Sequence, residues 1–140
     1  RMMIRYEIRR EGAILGANDA LNDVVVSRGA IARSVRLETY IDGGWATTYH
    51  GDGLIIATPT GSTAYAPAVG GPILPPELRN IVVVPIAAHL SLDRAVVLAE
   101  GSTVRMEVSA DHQVILSVDG QFDVEVHTGD TVEVNASASS

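Results

Sequence analysis

Apolar and polar side chains alternate along most of this chain. Met2, Ile4, Tyr6 and Ile8 stand against Met3, Arg5, Glu7 and Arg9, so one face is apolar and the other mixed or charged. The alternation returns at Val35, Leu37, Thr39 and Ile41, at Val104, Met106 and Val108, at Phe122, Val124 and Val126, and at Val132 and Val134. Successive side chains in a strand point to opposite faces, so this period predicts half-buried strands. Unbroken apolar runs at Val24–Val26, Leu54–Ala57 and Ile81–Val84 predict strands covered on both faces. Turn-forming residues separate the runs, at Asp42-Gly43-Gly44, Asp111-His112, Asp119-Gly120 and Gly129-Asp130. Many short strands at close spacing predict an all-β fold, an antiparallel β-sandwich of two stacked sheets.

One short helix is expected, from about Thr63 to Val69, stopped by Gly70-Gly71-Pro72 and held to a few residues by Pro67. The small residues from Ala136 to Ser140 are expected to fray, leaving residues 1–135 as a single domain. The alternation is already under way at Met2, as in a domain cut from a longer chain.

Composition narrows the chemistry. The chain of 140 residues is long enough to bury a core, and it has no cysteine, which removes disulfides, thiol catalysis and thiolate metal sites. That composition fits a reducing cytoplasm. The net charge is −7, and the ten cationic residues, all arginine, are scattered; no basic run is present to neutralise a phosphate backbone, so nucleic acid is not an expected partner. No stretch approaches the roughly 20 apolar residues that cross a bilayer, and Arg1-Met2-Met3-Ile4-Arg5 has no hydrophobic signal core, so no membrane partner is expected either.

The densest chemical signal runs from Gly51-Asp52-Gly53 through Leu54–Ala57 to Thr58-Pro59-Thr60-Gly61-Ser62-Thr63-Ala64-Tyr65. A buried strand leads into a loop of small hydroxylated residues and then a helix start, whose free N–H groups suit a ribose or phosphate oxygen. Thr60, Ser62 and Thr63 can donate or cap, and Tyr65 can lay a ring along a nucleobase. Taken singly, the hydroxyls are equally explained as helix caps and Asp52 as a turn residue. His50 and Asp52 lie two apart, but no third residue in spacing completes a metal site, so no metal is expected in this chain. His112 and His127 read as solvent-facing residues at strand ends.

Taken together, the string from Gly51 to Tyr65, followed by Gly70-Gly71-Pro72-Ile73, resembles the signature of the NAD kinase family. Ala20-Leu21-Asn22-Asp23-Val24-Val25 matches that family's Asn-Glu/Asp motif, and Val84-Pro85-Ile86-Ala87-Ala88-His89 stands where the family has a second ligand-facing loop. The resemblance implies an enzyme that phosphorylates the 2′-hydroxyl of the adenosine ribose of NAD, using ATP or polyphosphate with Mg2+. It implies that Asn22 and Asp23 hold ribose hydroxyls, that Thr63, Ala64 and Tyr65 line the adenine pocket, and that Asp52 and Ala87 contact the other nucleoside. Thr60, Ser62 and His89 are placed beside them, although Leu90-Ser91-Leu92-Asp93-Arg94 departs from the family's usual sequence after the histidine. Asp119-Gly120 stands where some family members touch the ligand, but a tight hairpin is the better explanation of it. The family commonly forms homodimers and homotetramers through this domain.

The family's Gly-Gly-Asp-Gly motif, with its catalytic aspartate, belongs to an amino-terminal α/β domain. That string is absent here, so no catalytic residue is expected in this chain and the residues alone are expected to be inactive. Two other readings stand beside this one. The first is a stand-alone dinucleotide-binding or regulatory module. The second is a domain of the related lipid kinases, whose pocket is expected to dispense with Asn22-Asp23 and Thr63-Ala64-Tyr65.

Overall fold

The structure is a computed structural model that describes residues 2–29, 34–61, 78–86 and 94–138. Among them are twelve strands: β1 (Ile4–Arg10), β2 (Ala13–Ala20), β3 (Asp23–Arg28), β4 (Val35–Ile41), β5 (Gly44–Gly51), β6 (Gly53–Ala57), β7 (Ile81–Ile86), β8 (Val96–Leu98), β9 (Val104–Ser109), β10 (Val114–Val118), β11 (Phe122–Val126) and β12 (Thr131–Ala136). They form two six-stranded sheets, in the orders β2-β1-β12-β9-β4-β5 and β11-β10-β3-β6-β7-β8. Neighbouring strands in both sheets pair antiparallel. This is the two-sheet β architecture that the alternation predicts.

The alternating residues fill the space between the sheets. Ile4, Tyr6 and Ile8 on β1, Val132 and Val134 on β12, and Val104, Met106 and Val108 on β9 share one core with Val24, Val26, Leu54, Ile56, Val114 and Leu116 of the second sheet. The unbroken runs behave differently. Val25, Ile55, Ala57, Val82 and Val84 form a second buried cluster on the other face of β3, β6 and β7. Strands buried on both faces have no reason to alternate, which is why those three segments read as continuous apolar runs.

Three hairpins close through paired left-handed residues: Glu11-Gly12, Asp42-Gly43 and Asp119-Gly120, with φ of 52° and 83°, 53° and 84°, and 53° and 67°. Positive φ at both central positions defines the type I′ turn, whose twist matches the strands it joins. At the far side of the first sheet, Arg10 donates from Nε and a terminal nitrogen to the two carboxylate oxygens of Asp130, at 2.8 and 2.9 Å. β12 runs through Ala136, which pairs with Ile4, and Ser137 donates its N–H to the carbonyl of Met3. Order therefore continues two residues into the segment expected to fray.

Helical structure is entered at residues 59–61, earlier than the expected start at Thr63. Thr58 is the cap: its Oγ1 accepts the N–H of Gly61 at 3.0 Å, and Pro59 occupies the first helical position, where its missing N–H costs nothing. The expected helix from Thr63 to Val69 lies outside the described residues.

Candidate functional site

The site is built by the antiparallel pairing of β3 with β6. Asp23, the first residue of β3, lies opposite Ala57, the last of β6. The turn before β3 and the helix entry after β6 therefore leave the sheet side by side. Their backbones interlock. Thr58 donates its N–H to the carbonyl of Asn22 at 2.9 Å, and its Oγ1 lies 3.0 Å from the carbonyl oxygen of Leu21 and 3.3 Å from that of Asn22. Gly61 rests on the turn so closely that a Cβ there would sit 1.9 Å from the Asn22 carbonyl oxygen. Only glycine permits that approach.

A third segment completes the arrangement. The carboxylate of Asp119 accepts the N–H of Leu21 on Oδ2 at 2.9 Å, and on Oδ1 it accepts those of Asn22 and Asp23 at 2.7 and 3.1 Å. The N–H of Asp119 in turn donates to the carbonyl of Asp23 at 3.0 Å. Asn22 is half-buried and Asp23 is 2% exposed. The Oδ1 of Asp23 is buried and has no hydrogen-bond partner among the described residues. Burial first, and the Asp119 carboxylate second, push the Asp23 carboxyl up to about 6. An oxygen left this way is free to accept a donor from outside the described residues.

Asp52 stands elsewhere. Its N–H donates to the carbonyl of Ile86 at 3.0 Å, its carbonyl accepts the N–H of Arg28, and Oδ1 lies 3.1 Å from Nε of Arg28. Asp52 precedes β6 whereas Asp23 pairs at its far end, so the two carboxylates are separated by roughly 16 Å at the usual rise per strand residue. Thr60 lies in the helical entry, part-exposed, and its neighbour Thr58 rather than Thr60 does the capping. Ser62, Thr63, Ala64, Tyr65, Ala87 and His89 lie outside the described residues. His112 is not simply solvent-facing, because its ring nitrogens lie 2.9 Å from the carbonyls of Gln113 and Ser34. His127 is exposed, 3.5 Å from Glu125.

Asp119 and Thr58 were not among the expected site residues. Asp119 is an ordinary hairpin residue by pattern, since nothing local says that its side chain reaches a turn 96 to 98 positions away. Thr58 was legible, because a threonine before Pro59 is the usual start of a helix.

A buried acid, a helix entry and a hairpin carboxylate of this two-sheet β-domain thus converge on one turn. Comparison with known proteins names the family. A profile described as the ATP-NAD kinase C-terminal domain matches residues 21–140, and the chain belongs to that family. It is 46% identical over 137 residues to an NAD kinase of Chloroflexus aggregans, covering 98% of this chain and 50% of that protein. It is 43% identical over 135 residues to an NAD kinase of Syntrophotalea carbinolica, covering 96% of this chain and 47% of that protein. The crystal structure of yeast NADH kinase complexed with NADH superimposes with a TM-score of 0.92 at 30% identity, covering 99% of this chain and 40% of that one. The chain spans about half the length of the curated relatives it matches.

Proposed function

We propose that this chain is the dinucleotide-binding half of an NAD kinase, an enzyme that transfers a phosphoryl group to the 2′-hydroxyl of the adenosine ribose of NAD to make NADP. The observation that carries the reading is the buried carboxylate oxygen of Asp23, without a partner among the described residues, at the point where the Asn22-Asp23 turn meets the Thr58–Gly61 helix entry. A ribose hydroxyl brought to this turn supplies the missing donor. An amide beside a carboxylate suits a vicinal diol, because Asn22 both donates and accepts while Asp23 makes the stronger charge-assisted bond. Asp52 belongs to a different part of the ligand surface, consistent with an extended dinucleotide that has two nucleosides to hold. We assign Thr60, Ser62, Thr63, Ala64, Tyr65, Ala87 and His89 to the same surface on sequence grounds.

The phosphoryl donor, ATP or polyphosphate with Mg2+, belongs to machinery outside these residues. Among the described residues no group of three His, Asp or Glu side chains could hold a metal ion, and no step here is routed through one. The role of this chain is to bind the acceptor and orient its hydroxyl; near-attack alignment is where such positioning acts on rate. We further propose a homodimer or homotetramer in the cytoplasm. Ile14, Leu15 and Phe122 on the edge strands β2 and β11, and Trp45 on β5, are exposed apolar side chains that a neighbouring copy would cover. No helix of the described residues is long and apolar enough to cross a membrane.

The test is turnover. The complete gene product incubated with ATP, Mg2+ and NAD is expected to make NADP, and residues 1–140 alone are expected to make none. Turnover by the isolated residues would misplace the catalytic centre, and a complete protein that binds NAD without phosphorylating it would favour the stand-alone binding module.

A further inference from the structure

The Leu21–Asp23 turn is gripped from two sides. Thr58 takes its carbonyls, Gly61 packs against the Asn22 backbone, and Asp119 takes three consecutive N–H groups. Both oxygens of Asp119 are thus committed to the backbone of the turn. We propose that Asp119 is the positioning residue of this site, fixing the Leu21–Asp23 backbone so that Asn22 and Asp23 meet the same pair of ribose hydroxyls. The inference rests on the dinucleotide reading above and extends it to a residue that acts without touching the ligand.

The chain contains its own comparison. Asp42 occupies the same place in another type I′ hairpin, and it also caps a neighbouring segment, accepting the N–H of Thr103 at 2.9 Å and lying 3.4 Å from the Ser102 hydroxyl. An aspartate at this turn position is therefore a ready backbone cap. What sets Asp119 apart is the segment it caps, the one that carries the buried unpartnered acid. Asp119 also acts on that acid through its charge. Among the described residues it is the charged group that raises the Asp23 carboxyl beyond the effect of burial. The facing residues Ile56 and Ala57 on β6, Thr58 just after it, and Ser117 and Val118 on β10 carry no ionisable group. One carboxylate thus does two separable things. Its geometry holds the turn, and its charge adds to burial in raising the pH at which Asp23 ionises.

Two substitutions in the complete gene product separate these actions, with NAD titrated between pH 5 and 8. Asp119→Asn keeps the shape and tolerates the left-handed backbone, but it replaces one acceptor with a donor and removes the charge. NAD affinity is expected to fall about tenfold, and the midpoint of its pH dependence is expected to move to lower pH. Asp119→Glu keeps the charge and displaces the oxygens by one methylene. Glu11, at φ 52° in the equivalent position of the first hairpin, shows that the backbone accepts glutamate there. Affinity is expected to fall while the midpoint stays where it was. Asp42→Asn is the control, expected to lower the melting temperature without changing NAD affinity. Should Asp119→Asn fail to fold, Asp119→Glu decides alone, because lost affinity with a preserved melt supports the proposal and wild-type affinity overturns it. The proposal is also overturned if affinity in all three variants merely tracks their melting temperatures. If Asn22→Ala and Asp23→Asn also leave NAD binding intact, the dinucleotide reading itself falls. If they abolish it while both Asp119 variants bind normally, only the positioning role falls.

Discussion

Two aspartates among the described residues are almost fully buried, Asp23 at 2% and Asp130 at 1% exposure, and their surroundings are opposite. Asp130 is saturated. Arg10 meets both of its oxygens, the N–H of His127 donates to one of them at 2.8 Å, and the hydrogen bond from Arg10 chiefly holds its carboxyl below the ordinary range. It ties the β1–β2 hairpin to the turn before β12. Asp23 has the reverse environment: an oxygen without a donor among the described residues, a second carboxylate nearby, and a carboxyl pushed up to about 6. An unpaired buried acid is costly, so a fold that retains one while pairing its counterpart so completely is spending stability at a defined place. The contrast separates a fully paired acid from one with an open acceptor among the described residues.

The harshest way to break this contrast is at the backbone beneath Asp23. Gly61→Ala places a methyl group 1.9 Å from the carbonyl oxygen of Asn22, and both atoms in conflict belong to held backbone or its first carbon. The turn must move. NAD binding by the complete protein is expected to be lost beyond a hundredfold, since misplacing Asn22 and Asp23 together removes two hydrogen bonds worth up to roughly 3 kcal/mol each. Calorimetric titration checks this, and an unchanged affinity would mean that the turn is not part of the ligand surface.

Exchanging each acid for its amide sharpens the comparison. Asp23→Asn removes an unpaired buried charge, so the melting temperature at pH 7.5 is expected to rise by a few degrees while NAD affinity falls about tenfold to a hundredfold. Asp130→Asn removes a paired one. Its melting temperature is expected to drop by roughly 5 °C, because Arg10 loses its bidentate partner, and NAD affinity is expected to stay as it was. Melting curves beside NAD titrations for the two variants decide the matter. Should Asp23→Asn melt lower and bind NAD normally, Asp23 would be the structural residue and the contrast would be inverted.

The sequence made the sandwich legible but only part of the site. Alternation at Ile4, Tyr6 and Ile8 or at Val104, Met106 and Val108 reports a strand with one buried face, and those segments pack as read. Three strands left unmarked by the pattern, β2, β5 and β8, lie at sheet edges. An edge strand buries little of either face, as Ile14, Leu15 and Trp45 show, so its hydrophobic period is weak. β10 is different, since Val114, Leu116 and Val118 alternate plainly and the short strand could have been read. Asn22-Asp23 is legible as a turn entering a strand and, through the family motif, as an expected ligand contact, but its burial is not. Its burial comes from Gly61 and Asp119 closing over it, and such long-range contacts leave no local trace.

The smallest expected effect is the dependence of stability on pH, and it distinguishes the two acids by sign. The folded-state carboxyl of Asp23, at about 6, lies above its ordinary value of 3.8. The folded chain therefore holds that proton more tightly than the unfolded one. Its contribution to stability is fully present below about 3.8 and is lost as pH rises through about 6. Asp130 is lowered, so its contribution is present above the ordinary carboxylate range and is lost as pH falls through its own depressed value. Between pH 7.5 and 5 only the Asp23 contribution changes, and acidification over that window is expected to add about 1 kcal/mol from this group. NAD affinity moves the other way, because the ribose hydroxyl meets a charge-assisted acceptor only when Asp23 is ionised. Denaturant melts and NAD titrations at matched pH read both quantities, and Asp23→Asn is expected to flatten the two slopes together while Asp130→Asn leaves them intact. If the wild type lost stability and affinity in parallel on acidification, with the slopes unaltered in Asp23→Asn, the titrating group would lie elsewhere and the poised acid would not be Asp23.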